Sequence, residues 1–199
     1  MGFDKFESER LRGAFDGVFA IAATILVLEL EVPVVEGTLE RAELREIWLN
    51  IAQWLVSFIV TFVFWHEFHW IFRFAREFDI RLVVIVALEM ACISLVPFAS
   101  KVLNASDAHL IGSLFYITVM GSNVLLLTLA NSIIIGAPHL HSTENADVHL
   151  RARRNLQLRI FTGVITASIV VTVMHDPWLG VLFWGLAPVL IALRTRSIQ

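Results

Sequence analysis

This chain of 199 residues has one cysteine, one tyrosine, five prolines and ten glycines, and only 17% of it is charged. The lone Cys92 cannot close an internal disulfide, so a disulfide scaffold is excluded. Glycine and proline are too scarce for a collagen-like or low-complexity chain. With a net charge of -3 and no block of Lys and Arg, the chain lacks the electrostatic footprint of a nucleic-acid binder. It also lacks a His-Glu-x-x-His motif, a nucleophile–base pair and a Gly-rich phosphate loop, so no enzyme chemistry is indicated. What it has is apolar: 57% of residues are hydrophobic, including 15 Phe and 6 Trp. Soluble domains are usually about 45–50% apolar. The composition is that of an all-α integral membrane protein.

A spanning helix needs about 17–25 mostly apolar residues. Six such segments are expected, at Gly13–Val35, Ile47–Phe72, Leu82–Leu103, Ala108–Ile135, Ile160–Met174 and Pro177–Leu193. The last two are separated at His175-Asp176-Pro177, since the residue before a proline avoids helix. Basic residues precede the first segment as in a signal peptide. Its apolar run, however, continues into Glu29 with no cleavage site, so a retained helix is expected. Placing the N-terminus in the cytoplasm puts Lys5, Arg10, Arg12, Arg73, Arg76, Arg81, Arg151, Arg153, Arg154, Arg159, Arg194 and Arg196 inside. Only Arg41, Arg45 and Lys101 are then outside. The positive-inside rule therefore sets both termini in the cytoplasm. Six spans make residues 1–199 a single transmembrane unit, with little chain left for an extramembrane domain. The connection from His139 to Arg159 reads as a helical cytoplasmic linker whose basic residues meet lipid headgroups.

The first segment is unusual. Only twelve uncharged residues separate Asp16 from Glu29. They span about 18 Å at about 1.5 Å per residue, short of a hydrocarbon core of about 30 Å. Such a helix suits protein surroundings or a water-filled path better than lipid. At about 100° per residue, Gly13, Gly17, Ile21, Thr24 and Leu28 share one narrow stripe, with Ile25 at its edge. Two readings stand. Small residues at four-residue spacing favour a close helix–helix contact; several copies around an axis would instead make rings of Ile, Thr and Leu. Asp16 points away from the stripe and needs a partner on a neighbouring helix, or Arg12 one turn earlier.

The stretch Arg10-Leu-Arg-Gly-Ala-Phe-Asp-Gly-Val-Phe-Ala-Ile-Ala-Ala-Thr-Ile-Leu-Val-Leu-Glu-Leu30 resembles the first helix of the transmembrane protein 175 family, potassium channels of lysosomes and bacteria. The family's arginine-to-aspartate spacing is kept from Arg10 to Asp16, while Ala14 and Phe15 stand where the family has Phe-Ser. Trp65-His-Glu-Phe-His69 is similar to its Trp-x-x-His-His pattern, with His69 in register, and Leu95-Val-Pro-Phe98 resembles its Leu-x-Pro-Phe segment. The resemblance implies a bacterial, single-repeat type: a homotetramer in the plasma membrane whose first helices line a central pore. It also implies a structural network of Arg10, Asp16 and His69.

Such a pore would not use backbone carbonyls, because the chain contains no Thr-Val-Gly-Tyr-Gly loop. Ile21, Ile25 and Leu28 are expected to form a hydrophobic gate. Thr24 would supply hydroxyls for K⁺ selectivity, and Glu29 and Glu31 would concentrate cations at the outer mouth. No cofactor is expected, only permeant K⁺, with Na⁺ and H⁺ as further candidates. His66, Glu67 and His69 lack metal-ligand spacing, so no metal is expected. Glu89, mid-helix, is expected to be protonated or, better, paired across the bundle, and Asn123 to join helices. The alternative function is a proton-coupled transporter or proton leak working through Glu89 or His69. Against it stands the absence of repeat symmetry and of a Pro/Gly-broken helix pair.

Overall fold

A computed structural model of the chain describes residues 5–30, 41–75, 77–104, 109–138, 146–174, 177–186 and 190. The described elements are helices: α1 (Lys5–Ile25), which tightens into a 3₁₀ turn (Leu26–Glu29), α2 (Arg41–Phe72), α3 (Ile80–Ser94), α4 (Val96–Asn104), α5 (His109–Gly136), α6 (Ala146–Met174) and α7 (Pro177–Leu182), which ends in a 3₁₀ turn (Phe183–Gly185). Five stretches among the described residues are long and apolar enough to cross a membrane: Ser8–Glu29, Glu43–Phe72, Ile80–Leu103, Leu110–Gly136 and Val148–Met174.

These spans differ from the expected ones in three places. The first helix begins at Lys5 rather than Gly13, and its expected end at residues 31–35 lies outside the described residues. The third span is broken at Leu95, because Pro97 has no N–H to continue the ladder and its ring crowds the preceding turn. The fifth helix is nearly twice as long as expected. It starts at Ala146, so most of the supposed linker is part of a 29-residue helix. Of the sixth span, Pro177–Leu182 and the turn after it are helical, while residues 187–189 and 191–193 lie outside the described residues.

α5 is the hub of the bundle, packing on α3, α4, α6 and α7. Its approach to α4 depends on glycine: a Cβ on Gly112 would sit 2.9 Å from Leu103 Cα and 2.9 Å from the Val102 carbonyl oxygen. A polar seam crosses the same region. The Ser57 hydroxyl on α2 lies 3.1 Å from that of Ser100 on α4 and 2.9 Å from that of Tyr116 on α5, and the Gln53 amide donates to the Ser100 carbonyl. In hydrocarbon such groups have no water to turn to, so they bond across helices and fix register. The buried core is largely aromatic around α1 and α2, where Phe15, Phe19, Phe64, Phe68 and Phe72 meet.

Candidate pore helix and its polar anchors

α1 has two faces. Phe15, Phe19, Ala22 and Leu26 are buried against the bundle. The Phe15 ring lies 4.5 Å from Phe19 and 5.3 Å from Phe68 in tilted contacts and 5.2 Å from Phe72 edge-on, ring centre to ring centre. The residue standing where the family has a serine is thus a core aromatic that clamps α1 to α2. The opposite face is bare. Ile21 is 60% exposed, Ile25 38% and Leu28 76%. Gly13, Gly17 and Thr24 are exposed beside them, and no atom of another element lies within 4 Å of a Cβ placed on either glycine. Gly13, Gly17, Ile21, Thr24 and Leu28 of the stripe read from the sequence are thus exposed together among the described residues, while Ile21 and Ile25 also border a cleft against Ser94, Pro97 and Phe98.

Within the stripe, the Thr24 hydroxyl donates to the carbonyls of Ala20 at 3.0 Å and Ile21 at 2.9 Å. Its proton is spent on its own helix, and the hydroxyl oxygen of this exposed residue keeps acceptor capacity. Glu29 is not a free carboxylate: it lies 3.6 Å from the Lys101 ammonium on α4. Glu31 lies outside the described residues.

Behind the stripe, two anchors tie α1 to α2. Trp65 Nε1 donates to Asp16 Oδ1 at 2.8 Å, and His69 Nδ1 lies 3.7 Å from the same oxygen. The structure thus places Asp16 beside His69 and Trp65, and Trp65 is a partner the sequence reading missed. Arg10 is exposed six residues before Asp16 on the same helix. The second anchor corrects an expectation. Arg12 does not serve Asp16; it donates to the carbonyls of Phe72 at 2.9 Å and Ala75 at 2.8 Å, with its guanidinium 5.3 Å from the Phe78 ring. Those carbonyls lie at and just beyond the end of α2, where intrahelical donors run out; the Phe72 oxygen also accepts from the Ala75 N–H at 3.3 Å. A cation there also suits the helix dipole.

A third cluster holds the other side of α2. Glu67 is fully buried and receives Arg153 Nε on Oε2 at 3.0 Å, Arg153 Nη2 on Oε1, and the Gln157 amide. The Arg153 guanidinium also lies 5.1 Å from the Trp70 ring. Arg153 was expected at lipid headgroups; it is instead the partly buried counter-ion of the fully buried Glu67. The signal was present. Leu150, Arg153, Gln157, Phe161, Val164 and Ser168 recur at helical spacing on one face of α6, and an α6 drawn to its true length would have turned Arg153 inward.

Two expected links between helices are not seen among the described residues. Glu89 is fully buried, and neither carboxylate oxygen has a hydrogen-bond partner among them. Asn123 donates at 2.7 Å to the Val119 carbonyl of its own helix, while its Oδ1 is buried without a partner among the described residues. Among the described residues no group of three His, Cys, Asp or Glu is placed to hold a metal ion.

Residues 10–97 match the family model described as the endosomal/lysosomal potassium channel TMEM175. A potassium channel of Streptomyces collinus is 34% identical over 99 residues, 49% of this chain and 48% of that one. One of Chamaesiphon minutus is 33% identical over 109 residues, 53% of this chain and 54% of that one. The matched stretch thus spans about half the length of these two relatives. A potassium channel of a Chryseobacterium strain is 23% identical over 96% of this chain and 95% of its own length. The crystal structure of a lysosomal potassium-selective channel TMEM175 homolog from Chamaesiphon minutus superposes with a TM-score of 0.76 at 22% identity, covering 96% of this chain and 99% of that one. The resemblance drawn from the first-helix motif is borne out: this chain is similar to the TMEM175 family in sequence over residues 10–97 and has the fold of its crystallised homolog along nearly its whole length.

Proposed function

We propose that this chain is one subunit of a homotetrameric, potassium-permeable cation channel of a bacterial plasma membrane, with both termini cytoplasmic and α1 lining the pore. One observation carries the reading: the chain buries one face of α1 in aromatics and leaves Gly13, Gly17, Ile21, Thr24 and Leu28 uncovered on the other. One copy of that stripe encloses nothing. Cyclic symmetry closes it into a pathway, and the exposed glycines allow the helices to come close at one end. The similarity to bacterial potassium channels supports the same reading.

In four copies, Ile21, Ile25 and Leu28 form apolar rings. Isoleucine is branched at Cβ and stiff in a helix, so a narrow ring of it cannot retract. Water leaves such a constriction, and an ion crossing it would have to shed hydration without replacement ligands. Thr24 lies between the rings, and its hydroxyl oxygens serve as four acceptors for a cation stripped of part of its water. No backbone-carbonyl filter takes part. Asp16, with His69 and Trp65, holds the pore helix from behind, and Arg10 belongs to the same anchor in this reading. Glu29 and Glu31 attract cations at the outer mouth, Glu29 within its pair with Lys101.

Purified protein in planar bilayers tests this: current should flow down either K⁺ gradient in discrete steps with no co-substrate, from a particle of four chains. A proton-coupled transporter is the second reading, favoured by the buried Glu89 carboxylate, which has no hydrogen-bond partner among the described residues. It predicts flux that needs a proton gradient and disappears in Glu89→Gln.

A further inference from the structure

Beside the exposed stripe, between α1 and α2, lies a cleft of about 320 Å³ lined by Asp16, Ala20, Ala23, Thr61, Phe62 and Trp65 among others. That is the lower end of the size range of small-molecule sites. Its polar groups are few and specific. Trp65 and His69 both approach Oδ1 of Asp16, whose side chain is 45% exposed. The Thr61 hydroxyl is buried, with the residue 1% exposed, and lacks a partner among the described residues. The rings of Phe62 and Trp65 sit 5.1 Å apart and form an aromatic wall.

We propose that this cleft binds a small organic ammonium ion carrying an aromatic or aliphatic body. The carboxylate and the aromatic faces both attract a cation, and the ring quadrupole does so best where water is scarce. The Thr61 oxygen supplies an acceptor for a second N–H, or for another donor on the ligand. The small side chains of Ala20 and Ala23 leave room for the apolar body. A bare acyl chain would fill the apolar volume but leave a carboxylate and a hydroxyl facing hydrocarbon, which is costly. A bare metal ion would find too few oxygens. The charge on Asp16, together with the buried orphan hydroxyl, therefore selects an amphiphilic cation.

The test is binding to the purified 199-residue chain in phosphatidylcholine nanodiscs, with empty nanodiscs subtracted. The probe is 3-phenylpropylammonium, and 3-phenylpropan-1-ol is its neutral match. The ammonium should bind saturably and about tenfold more tightly than the alcohol, as a charge-assisted contact outweighs a neutral one. Asp16→Asn should bring the two to the same affinity. Ala23→Phe, which fills the cleft without touching the carboxylate, should abolish binding, and Thr61→Val should weaken it severalfold. If Asp16→Asn does not fold, Ala23→Phe decides the matter. The absence of saturable binding, an alcohol that binds as tightly as the ammonium, or binding that survives Ala23→Phe would each overturn the proposal. Binding is read without ion flux, so its failure leaves the channel reading untouched, and a failed channel reading leaves this one standing.

Discussion

Arg153→Met should unfold the bundle far more readily than a change at a membrane-surface arginine. The substitution keeps most of the stem that packs near Trp70 and removes only the guanidinium. What remains is Glu67, fully buried, with the Gln157 amide and with His66 at 3.6 Å as its nearest partners. Stranding a buried charge in this way costs about 3–5 kcal/mol. For a chain of this size about 1 kcal/mol moves the midpoint by roughly 2–4 °C, so the expected fall is roughly 6–20 °C. The double variant Glu67→Leu/Arg153→Met removes both charges and should be more stable than Arg153→Met alone, because no unpaired group is left. The assay is thermal unfolding in detergent, read as the folded fraction surviving size exclusion after heating. If Arg153→Met melts within about 2 °C of the parent, the ion pair is as weak as an exposed one and the reasoning is wrong.

Three further outcomes follow from the same packing. Thr24→Ala should lower the preference for K⁺ over Na⁺, read as a shift in reversal potential in mixed solutions, because it deletes the hydroxyl oxygens of the stripe. Asp16→Asn and His69→Ala should reduce folded or tetrameric yield on size exclusion while leaving ion preference nearly unchanged; normal assembly with strongly altered selectivity would contradict their place behind the pore. Gly112→Val should destabilise the bundle by several kcal/mol in the same melting assay, since its side chain meets the Leu103 backbone of α4 rather than a movable side chain. An unchanged melt would show that α4 and α5 can separate at little cost.

Much of this was legible in the sequence because membrane spans and helix faces are written in composition and period. The α1 stripe is the clearest case: spacing alone grouped Gly13, Gly17, Ile21, Thr24 and Leu28, and the same residues are exposed together. What spacing cannot say is which face another element will cover, and that turns a helix-packing motif into a candidate pore. Partners of buried charges were the least legible. Arg12 and Asp16 are one turn apart and look like a pair, yet each finds another partner at or just past α2, where carbonyls at the helix end and an indole N–H are available. Glu67 and Arg153 are 86 residues apart, and only an α6 of the right length brings them together. The short apolar core of that helix hid its length, because the polar first half of α6 is held by bonds to α2 and α5 rather than by hydropathy.

The central claim is that the exposed face of α1 is the ion pathway and that Ile21 closes it. Single-channel recording of Ile21→Asn in planar bilayers, beside the parent chain, tests it most directly. A polar atom in the ring should wet the constriction and supply a ligand, so conductance or open probability should rise, and Ile21→Ala should raise it less. A current unchanged by Ile21→Asn, with a residue on another helix controlling it instead, would place the pathway elsewhere.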